Sequence, residues 1–71
     1  MFLRRLRDLR EDNDKKQGEI AEVLGLKQAQ YNRYENGVNE IPLRYLIVLA
    51  DFYGVSIDYI VGITDNPRRL K

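Results

Sequence analysis

The stretch from residue 17 to residue 36, QGEIAEVLGLKQAQYNRYEN, limits the fold more than any other part of the chain. It holds two short helical patterns, 17–24 with Ile20, Ala21, Val23 and Leu24 as its apolar positions and 28–36, with only a few residues between them. Helices this short can cross steeply only where one of them offers a residue without bulk, and Ala21 provides that. A turn of three to four residues between such helices needs a positive φ, which Gly25 allows at no steric cost. Ile20, Leu24, Leu26, Tyr31 and Tyr34 then fall on the inward side and lock the crossing. That leaves Gln28, Ala29, Asn32, Arg33 and Asn36 on the outward side of the second helix.

The flanking sequence supplies three more helices. Leu3, Leu6 and Leu9 recur every third residue and place a first helix over about 2–12, ended by the turn-prone Asp12-Asn13-Asp14. Pro42 fits the first turn of a fourth helix that runs to about Tyr53 and stops at Gly54. Ser56 is a good N-cap for a fifth over 57–61, closed by Gly62. The expected architecture is an all-α, compact five-helix domain over residues 1–62. Residues 63–71 form a C-terminal tail, broken by Pro67 and expected to fray.

The inventory excludes more than it selects. The chain has no cysteine and no histidine, and its only small hydroxyls are Ser56 and Thr64. Catalysis by activated nucleophiles or by general acids and bases draws mainly on those residue types, so an enzyme is not expected. Nor is a thiolate metal site, any other metal site, a cofactor or a small-molecule ligand. No apolar run approaches the roughly 18–20 residues of a membrane span, and the N-terminus does not read as a secretion signal. A cytoplasmic protein without a membrane partner is expected. Net charge is only +1, but basic residues cluster at Arg4, Arg5, Arg7 and Arg10, at Lys15-Lys16, and at Arg68, Arg69 and Lys71.

The outward residues of the third helix suit the edges of DNA bases. Gln or Asn can pair bidentately with adenine and Arg with guanine, and Ala can touch a thymine methyl. Gln28, Ala29, Asn32 and Arg33 are therefore the candidate base contacts. Gln30, at the margin of this face, is a candidate phosphate contact. Gln17, at a helix N-terminus that attracts anions, is the best phosphate candidate, followed by Lys16, Lys27, Asn36 and Arg44.

The same window carries a family resemblance. Gln17, IAEVLG at 20–25, NRYENG at 32–37 and LADFYGVSIDYIVG at 49–62 resemble the phage repressor and Cro family of helix-turn-helix proteins, the XRE-like family, over about residues 3–62. The resemblance implies five helices around one core, with helices 2 and 3 as the helix-turn-helix. It also implies binding of operator DNA through the major groove, usually as a dimer. A transcriptional regulator is expected, a repressor acting by occupying promoter DNA at a palindromic operator. The alternative is an antitoxin or other partner-binding protein built on the same domain. Arg10 and Glu35 resemble a structural ion pair of this family between helices 1 and 3 and are kept out of the DNA site. Lys27 departs from the pattern, which has Ser or Thr as a helix cap there. A phosphate docked on the helix would offset the lost cap and the unfavourable cation.

Helix 4 is more apolar than one face requires. Leu43, Leu46, Leu49, Ala50 and Tyr53 suffice for its core side, which leaves Tyr45, Val48 and Phe52 on another. With Tyr59, Val61 and Ile63 these residues make the candidate interface of a homodimer.

Overall fold

A computed structural model of the protein describes residues 2–68. Five helices follow in order: α1 (Arg4–Asp12), α2 (Gln17–Leu24), α3 (Gln28–Glu35), α4 (Leu43–Tyr53) and α5 (Ile57–Val61). No strand occurs among the described residues. The expected all-α, five-helix architecture is the one observed.

Local chemistry explains the breaks. After α1 the chain turns through Asp14 in a left-handed conformation, one of the few side chains that tolerates it, while the Asn13 side chain donates to the Leu9 carbonyl at 2.7 Å. Helix α2 stops at Gly25, where φ is 70°. There the Leu26 N–H reaches back to the Ala21 carbonyl at 2.8 Å, so the helix end is satisfied while the chain reverses toward α3. Pro42 stands one residue before α4 as its N-cap rather than inside its first turn. The Ser56 hydroxyl accepts from the Tyr59 N–H, as an N-cap serine should.

Helix α1 packs on α3 and α5, α2 on α3, and α4 on α5. The core joins Leu3, Leu6 and Leu9 to Ile20 and Ala21 of α2, Tyr31 of α3, Leu46, Leu49 and Ala50 of α4, and Val55 and Ile60. Leu24 and Leu26 pack at its edge, and Tyr34 is half-buried. Ala21 is almost wholly enclosed at the α2–α3 crossing, the role its small size suggested.

Three expectations fail here. Leu43 was assigned to the core side of α4 but is 62 % exposed. Its azimuth matches that of Ala50, seven residues on, yet at the first turn the helix has already passed the end of the small core. Val23, counted among the apolar positions of helix 2, is 40 % exposed. The tail does not fray where it is described. Arg5 donates to the carbonyls of Tyr59 and Thr64 at 2.7 and 2.6 Å and pairs with Asp65, and its guanidinium lies over the Tyr59 ring. The Ser56 N–H bonds the Pro67 carbonyl at 3.0 Å, folding the segment back onto α5. The basic residues Arg69 and Lys71 lie outside the described residues.

Candidate nucleic-acid interface

The outward side of α3 is built on a buried carboxylate. Glu35, in the last turn of α3, has no exposed surface. Arg10 of α1 grips it with two hydrogen bonds, Nε to Oε2 at 2.9 Å and Nη2 to Oε1 at 2.8 Å, and also donates to the Lys15 carbonyl. Charge-assisted, bidentate pairs of this kind are the strong ones. Burial pushes the Glu35 carboxyl upward, but its hydrogen-bonded neighbours, Arg10 above all, outweigh it and hold the group below its ordinary value. The same bonds raise the Arg10 guanidinium further.

A closed ring of side chains leads from that carboxylate to the surface. Gln17 donates to Glu35 Oε1 at 3.3 Å, Asn32 donates to Gln17 Oε1 at 3.0 Å, and Asn36 donates to Asn32 Oδ1 at 3.1 Å. Arg7 donates to Asn36 Oδ1 at 2.8 Å and returns to Glu35 Oε1 at 3.4 Å. The ring ties α1, α2 and α3 together, so the orientation of α3 is set by polar contacts as well as by Tyr31 and Ala21. Nearby, the phenols of Tyr31 and Tyr53 are buried, and both are pushed up by burial and by the Glu35 charge, Tyr53 to about 12.

On the outer side of the ring, Gln17, Gln28, Ala29, Asn32 and Arg33 line one shallow open groove of about 450 Å³. All four residues read as base contacts thus meet in one place, with the first phosphate candidate beside them. Gln28, Ala29 and Arg33 are exposed, whereas Gln17 and Asn32 are half-buried through the ring. Each of those two amides spends one N–H and one lone pair inside the protein and keeps the other of each. Asn36 is exposed but bonded on both sides.

Lys16 and Lys27 occupy the N-cap positions of α2 and α3, and neither lysine side chain makes a capping hydrogen bond to its helix. Glu19 meets the Lys16 N–H at 3.1 Å, which gives α2 half of a capping arrangement. Helix α3 has no acidic residue in its first turn. Its N-terminus therefore combines the helix dipole with an exposed ammonium and no internal anion. Gln30 is exposed on the same helix. Arg44 stands apart at the start of α4, where it lies over the Tyr45 ring at 4.6 Å.

The residues assigned to a dimer surface divide. Val48, Phe52 and Ile63 are 41 %, 43 % and 76 % exposed. Tyr45, Tyr59 and Val61 are half-buried in the chain's own packing, Tyr45 against Tyr34 with ring centroids 6.0 Å apart and Tyr59 beneath Arg5.

Two residues of the site escaped the reading of the sequence. Arg7 closes the ring, and its place one helical turn before Arg10 could have shown it. Gly18 is the second residue of α2, where no positive φ calls for glycine, and a glycine without that reason points to a packing role.

Comparison with known proteins gives a consistent picture. The helix-turn-helix family model matches residues 6–60. The chain is 40% identical over 67 residues to the uncharacterized HTH-type transcriptional regulator YobD of Bacillus subtilis, covering 94% of this chain and 60% of that protein. It is 39% identical over 62 residues to the cryptic phage CTXphi transcriptional repressor RstR of Vibrio cholerae, covering 87% and 56%. It is 34% identical over 61 residues to the SPbeta prophage-derived uncharacterized HTH-type transcriptional regulator YonR of Bacillus subtilis, covering 86% and 56%. The chain thus spans little more than half the length of these curated relatives. No solved structure gives a significant match.

Proposed function

The chain belongs to the helix-turn-helix family, and on that footing we propose that it is a sequence-specific DNA-binding transcriptional regulator that lays α3 in the major groove. The observation that carries this reading is the convergence of Gln28, Ala29, Asn32 and Arg33 on one open face of α3. Gln28 and Ala29 stand at the helix end that usually meets base edges in this motif. Arg33 offers a guanidinium for guanine, and the free half of the Asn32 amide a donor and an acceptor for adenine. Lys16, Gln17, Lys27, Gln30, Asn36 and Arg44 hold the phosphates and set the register. Lys27 brings its charge to an uncapped helix N-terminus, where a phosphate would take the place of the missing cap.

The regulator binds as a homodimer on an inverted repeat. Val48, Phe52 and Ile63 form the open part of the contact, extended by the edges of Tyr45, Tyr59 and Val61. Two copies of α3 then lie about one DNA turn apart, roughly 34 Å. Repression by occupying promoter DNA is the regulatory outcome, supported by the likeness to a phage transcriptional repressor.

The test is selection of bound duplexes from a random library at stated salt, since affinity depends steeply on it. An enriched inverted repeat, lost in Gln28→Ala and Arg33→Ala variants that still fold, is the expected result. No enrichment by the folded wild-type chain would refute the reading.

A further inference from the structure

We infer that Gly18 is a specificity-determining residue, a positioning residue for Gln28 that acts by leaving its own side of α2 open. The inference rests on the reading of α3 as the helix that meets bases.

The geometry is local. A Cβ added at Gly18 would stand 3.2 Å from Oε1 of Gln28 and 3.9 Å from its Cδ. The first distance is inside ordinary van der Waals contact, so the side chain of Gln28 lies along the bare backbone of α2 where any larger residue would displace it. No positive φ accounts for this glycine, because residue 18 sits inside an α-helix, unlike Gly25, Gly37, Gly54 and Gly62. Its neighbour Gln17 is fixed by hydrogen bonds to Glu35 and Asn32, so the backbone that Gln28 lies against is itself held in place.

The atom that would collide is the far end of an exposed, flexible side chain. Relief therefore costs the fold little, and Gln28 moves rather than α2. A methyl at position 18 shifts the amide a few tenths of an ångström away from α2, within the groove it shares with Ala29, Asn32 and Arg33. An amide that reads a base by two hydrogen bonds loses its fit when its plane is displaced. Helix α2, which carries no base contact in this account, thereby selects which base Gln28 can meet.

The experiment compares the wild-type chain with Gly18→Ala, Gln28→Ala and the double variant. Each is assayed for thermal stability, for the motif enriched from random duplexes, and for affinity to the wild-type motif. Gly18→Ala should keep or raise the melting temperature. It should also change the preferred base at one pair, and lower affinity for the wild-type motif about tenfold, the scale of one bidentate contact. In the Gln28→Ala background the same substitution should change affinity by less than about twofold, the non-additivity that marks two residues acting through one contact. An unchanged motif and affinity in Gly18→Ala would overturn the inference. So would an equal loss in both backgrounds, because position 18 would then be acting without Gln28. A folded wild-type chain that enriches no duplex would overturn the DNA reading itself, and this inference with it.

Discussion

Helices α3 and α4 both turn a face to solvent, and the two faces are finished in opposite ways. Behind the outward side of α3 three amides are anchored: Asn32 to Gln17, Gln17 to Glu35, Asn36 to Arg7. The exposed side of α4 presents Leu43, Ile47, Val48 and Phe52, and Phe52 lines an open groove together with Lys15, Glu19, Glu22 and Val23. Polar groups that hold one another at fixed spacing suit a rigid ligand read by hydrogen bonds, and ordering them at binding costs little. Apolar groups left in water gain from any cover of matching shape, without reading anything. The contrast matches the proposed division, selectivity on α3 and assembly on α4, and each half of that proposal can be broken separately.

The largest effect is expected from Glu35→Ala. It removes the anchor of the ring and leaves Arg10 without its buried partner, a loss of about 3–5 kcal/mol. For a domain of this size each kcal/mol is worth about 4–8 °C, so a thermal melt should fall by tens of degrees. A melting temperature within a few degrees of wild type would remove the ring from the account of α3.

The same anchor can be loosened by pH. Because the folded state holds the Glu35 carboxyl below its ordinary value, its contribution is complete above the unfolded carboxylate range near 4.3. It is lost as pH falls through the folded value. At the other end, Tyr31 and Tyr53 are raised by burial, so their contribution is complete below about 10 and declines as pH climbs toward 12. Denaturant titrations across pH should show a plateau between these limits, and Glu35→Gln should flatten the acid limb. An acid limb equally steep in that variant would place its cause elsewhere.

On α4, replacing Val48 and Phe52 together by serine should weaken self-association at least tenfold by sedimentation, on the order of 1.4 kcal/mol. The monomer should melt close to wild type, since both side chains are already about two-fifths exposed. Unchanged association would place the dimer contact on another surface.

How far the sequence could be read follows the same division. The five helices and their order were visible because the breaks are local: Gly25, Pro42, Gly54 and Ser56 act on their immediate neighbours. The outward set on α3 was visible because Tyr31 fixes the helix's rotation. What was not visible depends on partners far apart in the chain. Arg5 reaches Tyr59, 54 positions away, and Thr64 and Asp65 beyond it, so the described part of the tail is tied to α1. Tyr45 finds Tyr34, so a residue assigned to a partner is partly consumed within the chain. Leu43 has the right azimuth and the wrong height on the helix. Gln17 and Asn32 read in the sequence as separate phosphate and base contacts, and no periodicity shows that they bond each other.

The smallest expected effect concerns the uncapped start of α3. Lys27→Ser supplies the missing cap and should raise stability by about 1 kcal/mol. It should also weaken DNA binding and reduce the slope of log affinity against log salt by about 0.9. A variant that gains stability and keeps the wild-type slope would show that Lys27 meets no phosphate.

The most direct test of α3 as the reading helix is to titrate the isotope-labelled chain with its selected duplex and follow backbone and side-chain resonances. The largest changes should fall on Gln28, Ala29, Asn32 and Arg33, with the N–H groups at the start of α3 also shifted and the exposed side of α4 unmoved by the duplex itself. Changes centred on Ile47, Val48 and Phe52, with the groove of α3 silent, would contradict the account.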